Sequence, residues 1–172
     1  MRIAVIISIF TIVFFSSCQD SENENPAPLE IFNYYENYQI AGQLAELKPG
    51  NDLILHYYYS DPGELLAVDA GVVDNLYIQV PSSLRESLVF NLSDHNIPDL
   101  DILYTQSCFC VPIESVAIKS INLEGRNTGS EILIFGTVEL AVNFDESTEL
   151  YQYTKEFQFN GSAFLKSLPI TD

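Results

Sequence analysis

The chain has 172 residues, carries 24 Asp and Glu against 7 Lys and Arg, and has a formal net charge of −17. That balance argues against nucleic-acid binding, because phosphate contacts need Lys and Arg, and it repels anionic membrane surfaces. The acids are spread along the chain, a pattern that fits solubility at a crowded surface better than an interaction tail.

The first predicted element is a leader. Arg2 is the only charge before Asp20, and Ile3 to Phe15 is a run of thirteen mostly apolar residues. A membrane-spanning helix needs about 20 apolar residues, so this run is too short for an ordinary anchor. A positive start, a short apolar core and the small pair Ser16-Ser17 describe a secretory signal peptide over residues 1–17, cut just before Cys18. The stretch FSSC at 15–18 resembles the lipobox of Bacteroidota-type bacterial lipoproteins, with Phe15 and Ser17 where the commonest lipobox has Leu and a Gly or Ala. The resemblance implies that the Cys18 thiol takes a diacylglycerol, that the leader is removed, and that the new amine is acylated. A thiol suits this step because a serine hydroxyl is a far weaker nucleophile.

Residues 19–28, QDSENENPAP, hold three acids, two prolines and no large apolar side chain. With nothing to bury, residues 18–28 are expected to be a lipidated cysteine on a flexible acidic tether, reaching at most ~35 Å. Acids just after the cysteine resemble the surface-export signal of the same lipoproteins. That implies an outer-membrane protein at the cell surface; the alternative is a plain linker on a periplasm-facing lipoprotein. Without the leader, six Lys and Arg face 24 Asp and Glu, a net charge of −18. Residues 29–172 are one domain of common size, long enough to bury about two-thirds of its unfolded surface.

The remaining elements read as strands. Leu29 to Leu47 is ambiguous: Leu29, Phe32, Leu44 and Leu47 fit a helical stripe, while Gly42 and the aromatic-rich start favour strand for its second half. Leu53, Leu55, Tyr57 and Tyr59 alternate with Ile54, His56 and Tyr58, so both faces of that strand are candidates for burial. Further period-two runs are Leu76, Ile78 and Val80; Leu100, Ile102 and Tyr104; Ile134, Val138, Leu140 and Val142; and Tyr151, Tyr153, Phe157 and Phe159. Turn signals are Lys48-Pro-Gly-Asn-Asp, Asp61-Pro-Gly, Gly125-Arg-Asn-Thr-Gly, Asp145-Glu-Ser-Thr and Asn160-Gly. Gly136 falls inside a strand and marks a bulge or a bend. The expected fold is all-β: an antiparallel β-sandwich of about seven to nine strands, immunoglobulin-like or related, with little helix. Residues 38–59 resemble the opening hairpin of an immunoglobulin-like module, and residues 116–169 resemble small all-β lipoprotein domains of unknown function in the same bacterial group.

Chemistry is sparse. His56 reads as a packed strand histidine. His95 lies in SDHNIPDLD, where Asp94, Asn96, Asp99 and Asp101 offer oxygen ligands that suit calcium but lack the spacing and central glycine of an EF-hand loop. No cofactor is expected otherwise, and excess acid could bind calcium diffusely. Cys108 and Cys110, in CFC, are the thiols left after Cys18. In a flat strand their Cα atoms sit ~6.7 Å apart, the limit for a disulfide, so a small-ring disulfide and two packed thiols both stay open, with a soft metal site behind them. No G-x-S-x-G, H-E-x-x-H or phosphate loop occurs. Tyr34, Tyr35 and Tyr57 to Tyr59 could stack on a sugar, although strand aromatics more often form core or cross-strand pairs. The leading expectation is a non-catalytic binding or accessory module, held to the membrane by its N-terminal lipid, with a glycan or protein partner. The alternatives are a small carboxylate hydrolase and a purely structural envelope lipoprotein.

Overall fold

A computed structural model describes residues 27–42, 46–63, 71–107, 112–144 and 152–166. They form nine strands: β1 Leu29–Ala41, β2 Glu46–Asp61, β3 Val72–Val80, β4 Arg85–Glu86, β5 Val89–Leu92, β6 Asp101–Ser107, β7 Ile113–Asn127, β8 Glu131–Phe144 and β9 Gln152–Leu165. The helical pieces among the described residues are two short 3-10 turns, Ser82–Leu84 and Asp94–Asp99. The all-β expectation holds, and the ambiguous segment from Leu29 is strand from its first residue.

The strands are hydrogen-bonded into one sheet, in the order β4-β5-β7-β8-β9-β1-β2-β3-β6. Neighbours are antiparallel except β1 and β9, which run parallel through Asn33 beside Phe164 and Tyr34 beside Leu165. The sheet is therefore mixed, where a purely antiparallel one was expected. Its hydrogen bonding is continuous, and this strand order does not establish an immunoglobulin-like topology.

The sheet must curl, because its inward residues share one core. Flat, β3 and β9 would lie about 14 Å apart, three strand spacings. Yet Lys155 of β9 touches Asp74 of β3 at 2.7 Å, and the Phe157 ring of β9 packs edge-on against Tyr104 of β6. The core takes alternate residues from the strands: Leu53, Leu55 and Tyr57 from β2, Leu76, Ile78 and Val80 from β3, Val138, Leu140 and Val142 from β8, and Phe157 and Phe159 from β9. β2 is covered on both faces, since Ile54 and His56 on its other side are buried too.

Two turn signals proved to lie inside strands. At Pro49 the strand bulges, so that Tyr38 of β1 faces both Pro49 and Asp52 of β2. The bulge accommodates a proline that cannot donate to the ladder. Gln79 of β3 braces it, accepting the Ile40 N–H at 2.7 Å and donating to Asp52 at 2.8 Å. Asn160-Gly161 runs straight through β9, paired with Phe135 and Ile134. The local turn preference loses there to a long ladder with β8. The turn after Gly125 is real: the Thr128 N–H donates to the Glu131 carbonyl, and Gly129 N–H to the Asn127 side chain. The Asp145-Glu-Ser-Thr signal lies outside the described residues.

Gly136 is a bend and not a bulge, because its register with Leu123 and Phe159 is unbroken. Its φ is +128°, and a Cβ there would sit 1.8 Å from the Asn122 carbonyl oxygen. Any side chain meets both unfavourable backbone geometry and a backbone clash. Gly136→Ala should therefore destabilise the protein by more than the ~1–3 kcal/mol of backbone strain alone. Gly129→Ala, also at positive φ but in open space, should cost only that strain. Urea unfolding of both variants checks the ranking.

Candidate functional site

The loop read as a calcium candidate is engaged in structure. Asp94 Oδ1 accepts the Ile121 N–H of β7 at 2.8 Å, and Asn96 Oδ1 accepts the Ser93 N–H at 2.9 Å, closing the start of the 3-10 turn. Asp99, Asp101 and His95 are exposed. Among the described residues, no three His, Cys, Asp or Glu side chains are grouped to hold a metal ion. Cys18, Cys108 and Cys110 lie outside the described residues.

Two polar constellations do form. The first is inside the curled sheet. Asp74 is the one buried carboxylate among the described residues, 1% exposed. Its Oδ1 accepts from the Tyr104 hydroxyl at 2.7 Å and from Gln106 Nε2 at 3.0 Å, while Oδ2 accepts from Lys155 Nζ at 2.7 Å. Tyr104 also lies 3.4 Å, oxygen to oxygen, from the Tyr153 hydroxyl. Burial first, and then these hydrogen bonds, push the Tyr104 phenol well above its ordinary pKa. A charge withdrawn from water is tolerable only with partners of this kind. Both carboxylate oxygens are committed, so the arrangement acts as a clasp across the core and leaves no free base.

The second constellation lies on the outward face of β1, β2 and β3. His56 is buried and stacks on Tyr77, with ring centroids 4.2 Å apart and planes within 3°. Its Nε2 faces the Asn75 amide oxygen at 3.1 Å, so Nε2–H donates and Nδ1 is left as a buried acceptor without a partner. Tyr35 flanks the ring, and Tyr38 packs edge-on against Tyr35. Burial pushes the Tyr35 phenol up to about 12. Burial also lowers the His56 pKa below the ordinary imidazole value, with the Lys166 charge acting in the same direction and the Asn75 bond against it.

The packed reading of His56 holds, as does the core reading of Tyr34, Tyr35 and Tyr57. Tyr58, Tyr59 and Tyr77 are half-buried and keep part of their rings accessible. Asp74, Lys155 and Tyr77 escaped the sequence reading, although a signal existed: Asp74 is in phase with Leu76 and Ile78, and Lys155 with Tyr153 and Phe157. Each is an inward charge in an apolar alternation.

No family model, curated protein or solved structure matches this chain with significance.

Two outcomes are expected. Lys155→Met strands the buried Asp74 carboxylate and should cost about 3 kcal/mol, the low end for a broken buried pair because Lys155 is partly wet. Adding Asp74→Leu should recover part of that loss, measured by chemical unfolding. For His56, the folded state holds its proton less tightly than the unfolded state. The stability this contributes is complete above pH ~6.5 and is lost as pH falls from there toward the depressed folded value. His56→Phe should flatten that part of the stability–pH curve.

Proposed function

We propose that this chain is a lipid-anchored envelope protein, a non-catalytic binding or accessory module displayed at the outer membrane. The carrying observation is the run FSSCQDSENENPAP, in which a short apolar leader ends at a single thiol and an acidic, proline-bearing stretch leads into β1. The commitment of Asp74 to Lys155, Tyr104 and Gln106 supports binding over carboxylate catalysis. A glycan or protein ligand would meet the half-buried rings of Tyr58 and Tyr77, beside Asn75, whose amide can add a hydrogen bond. Rings held by their neighbours offer stacking area at little entropic cost.

Protease shaving of intact cells tests the address, with Cys18→Ala as the comparison. The wild type should carry lipid, stay with the membrane and be stripped from intact cells, and Cys18→Ala should be released. Protection of a lipidated wild type would move the module to the periplasmic side. Identical behaviour of the two proteins would sink the anchoring reading.

A further inference from the structure

Four of the six large apolar side chains most exposed among the described residues share one face of three neighbouring strands: Leu29 and Ile31 of β1, Phe135 of β8 and Phe164 of β9. The pairing explains the cluster. Phe164 sits between Glu131 of β8 and Asn33 of β1, and Phe135 faces Asn160 of β9. By the two-residue alternation of strands, Leu29, Ile31, Asn160, Ser162, Phe164, Leu133 and Phe135 share the outward face. Charge borders the patch: Glu131 faces Phe164, and the Glu124–Arg126 ion pair of β7 lies beside Phe135 and Leu133. Exposed apolar side chains grouped together and rimmed by polar residues mark an interaction surface.

We infer that this patch rests on the lipid surface to which the chain is tethered. The inference depends on the anchoring of Cys18 proposed above. The tether supplies the argument for the occupant. Only residues 19–28 separate Cys18 from Leu29, a span of at most ~35 Å, and Leu29 is itself part of the patch. The domain is thus joined to its anchor at the edge of this apolar patch. A short tether holds a site at an effective concentration of about millimolar, so a patch too weak to bind vesicles from solution stays engaged once anchored. Charge points the same way. The mature chain carries −18, so a second copy would bring an equal negative charge, while the acidic remainder of the surface is repelled by anionic headgroups and turns away from them. Contact at this face turns β3 and β6, which lie across the core from β9, away from the membrane.

The full lipidated chain tests this directly, because it contains no Trp and one introduced indole reports alone. Phe164→Trp and, across the core on β6, Asp101→Trp replace exposed side chains and are reconstituted into phosphatidylethanolamine and phosphatidylglycerol vesicles with brominated acyl chains; Phe135→Trp is a second patch reporter should Phe164→Trp fold poorly. The expected result is loss of emission at Phe164→Trp with Asp101→Trp unchanged. Equal quenching of both, or of neither while the chain floats with the vesicles and Cys18 carries lipid by mass, overturns the patch and leaves the anchor standing. Shielding of Phe164→Trp from aqueous iodide without lipid quenching, together with cross-linking between copies, assigns the face to a second copy and also overturns it. Flotation that is unchanged in Cys18→Ala, with no lipid on Cys18, removes the anchoring reading and this inference with it.

Discussion

A carboxylate with 1% exposure must find its partners inside the protein, and for Asp74 they come from strands distant in the sheet. Gln106 and Tyr104 arrive from the neighbouring β6, but Lys155 arrives from β9, beyond β1 and β2. That bond and a flat sheet are incompatible. Curling brings the two halves of the sheet over one core, and the same curl lets Phe157 reach both Tyr57 and Tyr104. The clasp is polar and strongly directional, so it selects one way of closing the core among the many that apolar contacts alone would permit.

The parallel join of β1 to β9 is the second constraint. It unites the first and last described strands and turns two sets of antiparallel strands into a single sheet. Contacts between residues so far apart in sequence carry a loop-closure cost that the packing around the join must outweigh. Gly136 serves the same geometry locally: β8 bends there without losing its place against β7 or β9.

The curl also creates the surfaces that bear on function. Turning the inner face into core leaves an outer face whose β8, β9 and β1 portion exposes Leu29, Ile31, Phe135 and Phe164, and whose β1, β2 and β3 portion carries the stacked His56 and Tyr77. The proposed lipid anchor would meet the apolar patch at Leu29 and so orient the domain.

Local chemistry was legible in the sequence alone. The short apolar run, the thiol that ends it and the acidic stretch after it, on which the proposed anchoring rests, can be read residue by residue, because their signals are compositional and contiguous. The strands followed from period-two alternation, and the burial of both faces of β2 followed from apolar residues in both phases. Tertiary structure decided what alternation cannot encode: which strand lies beside which, that β9 joins β1 in parallel, and that Asp74 meets Lys155. Asn160-Gly161 makes the limit plain. Its local preference is for a turn, yet the long ladder with β8 holds it extended, since many cooperative hydrogen bonds and a shared core outweigh the small conformational bias of a dipeptide.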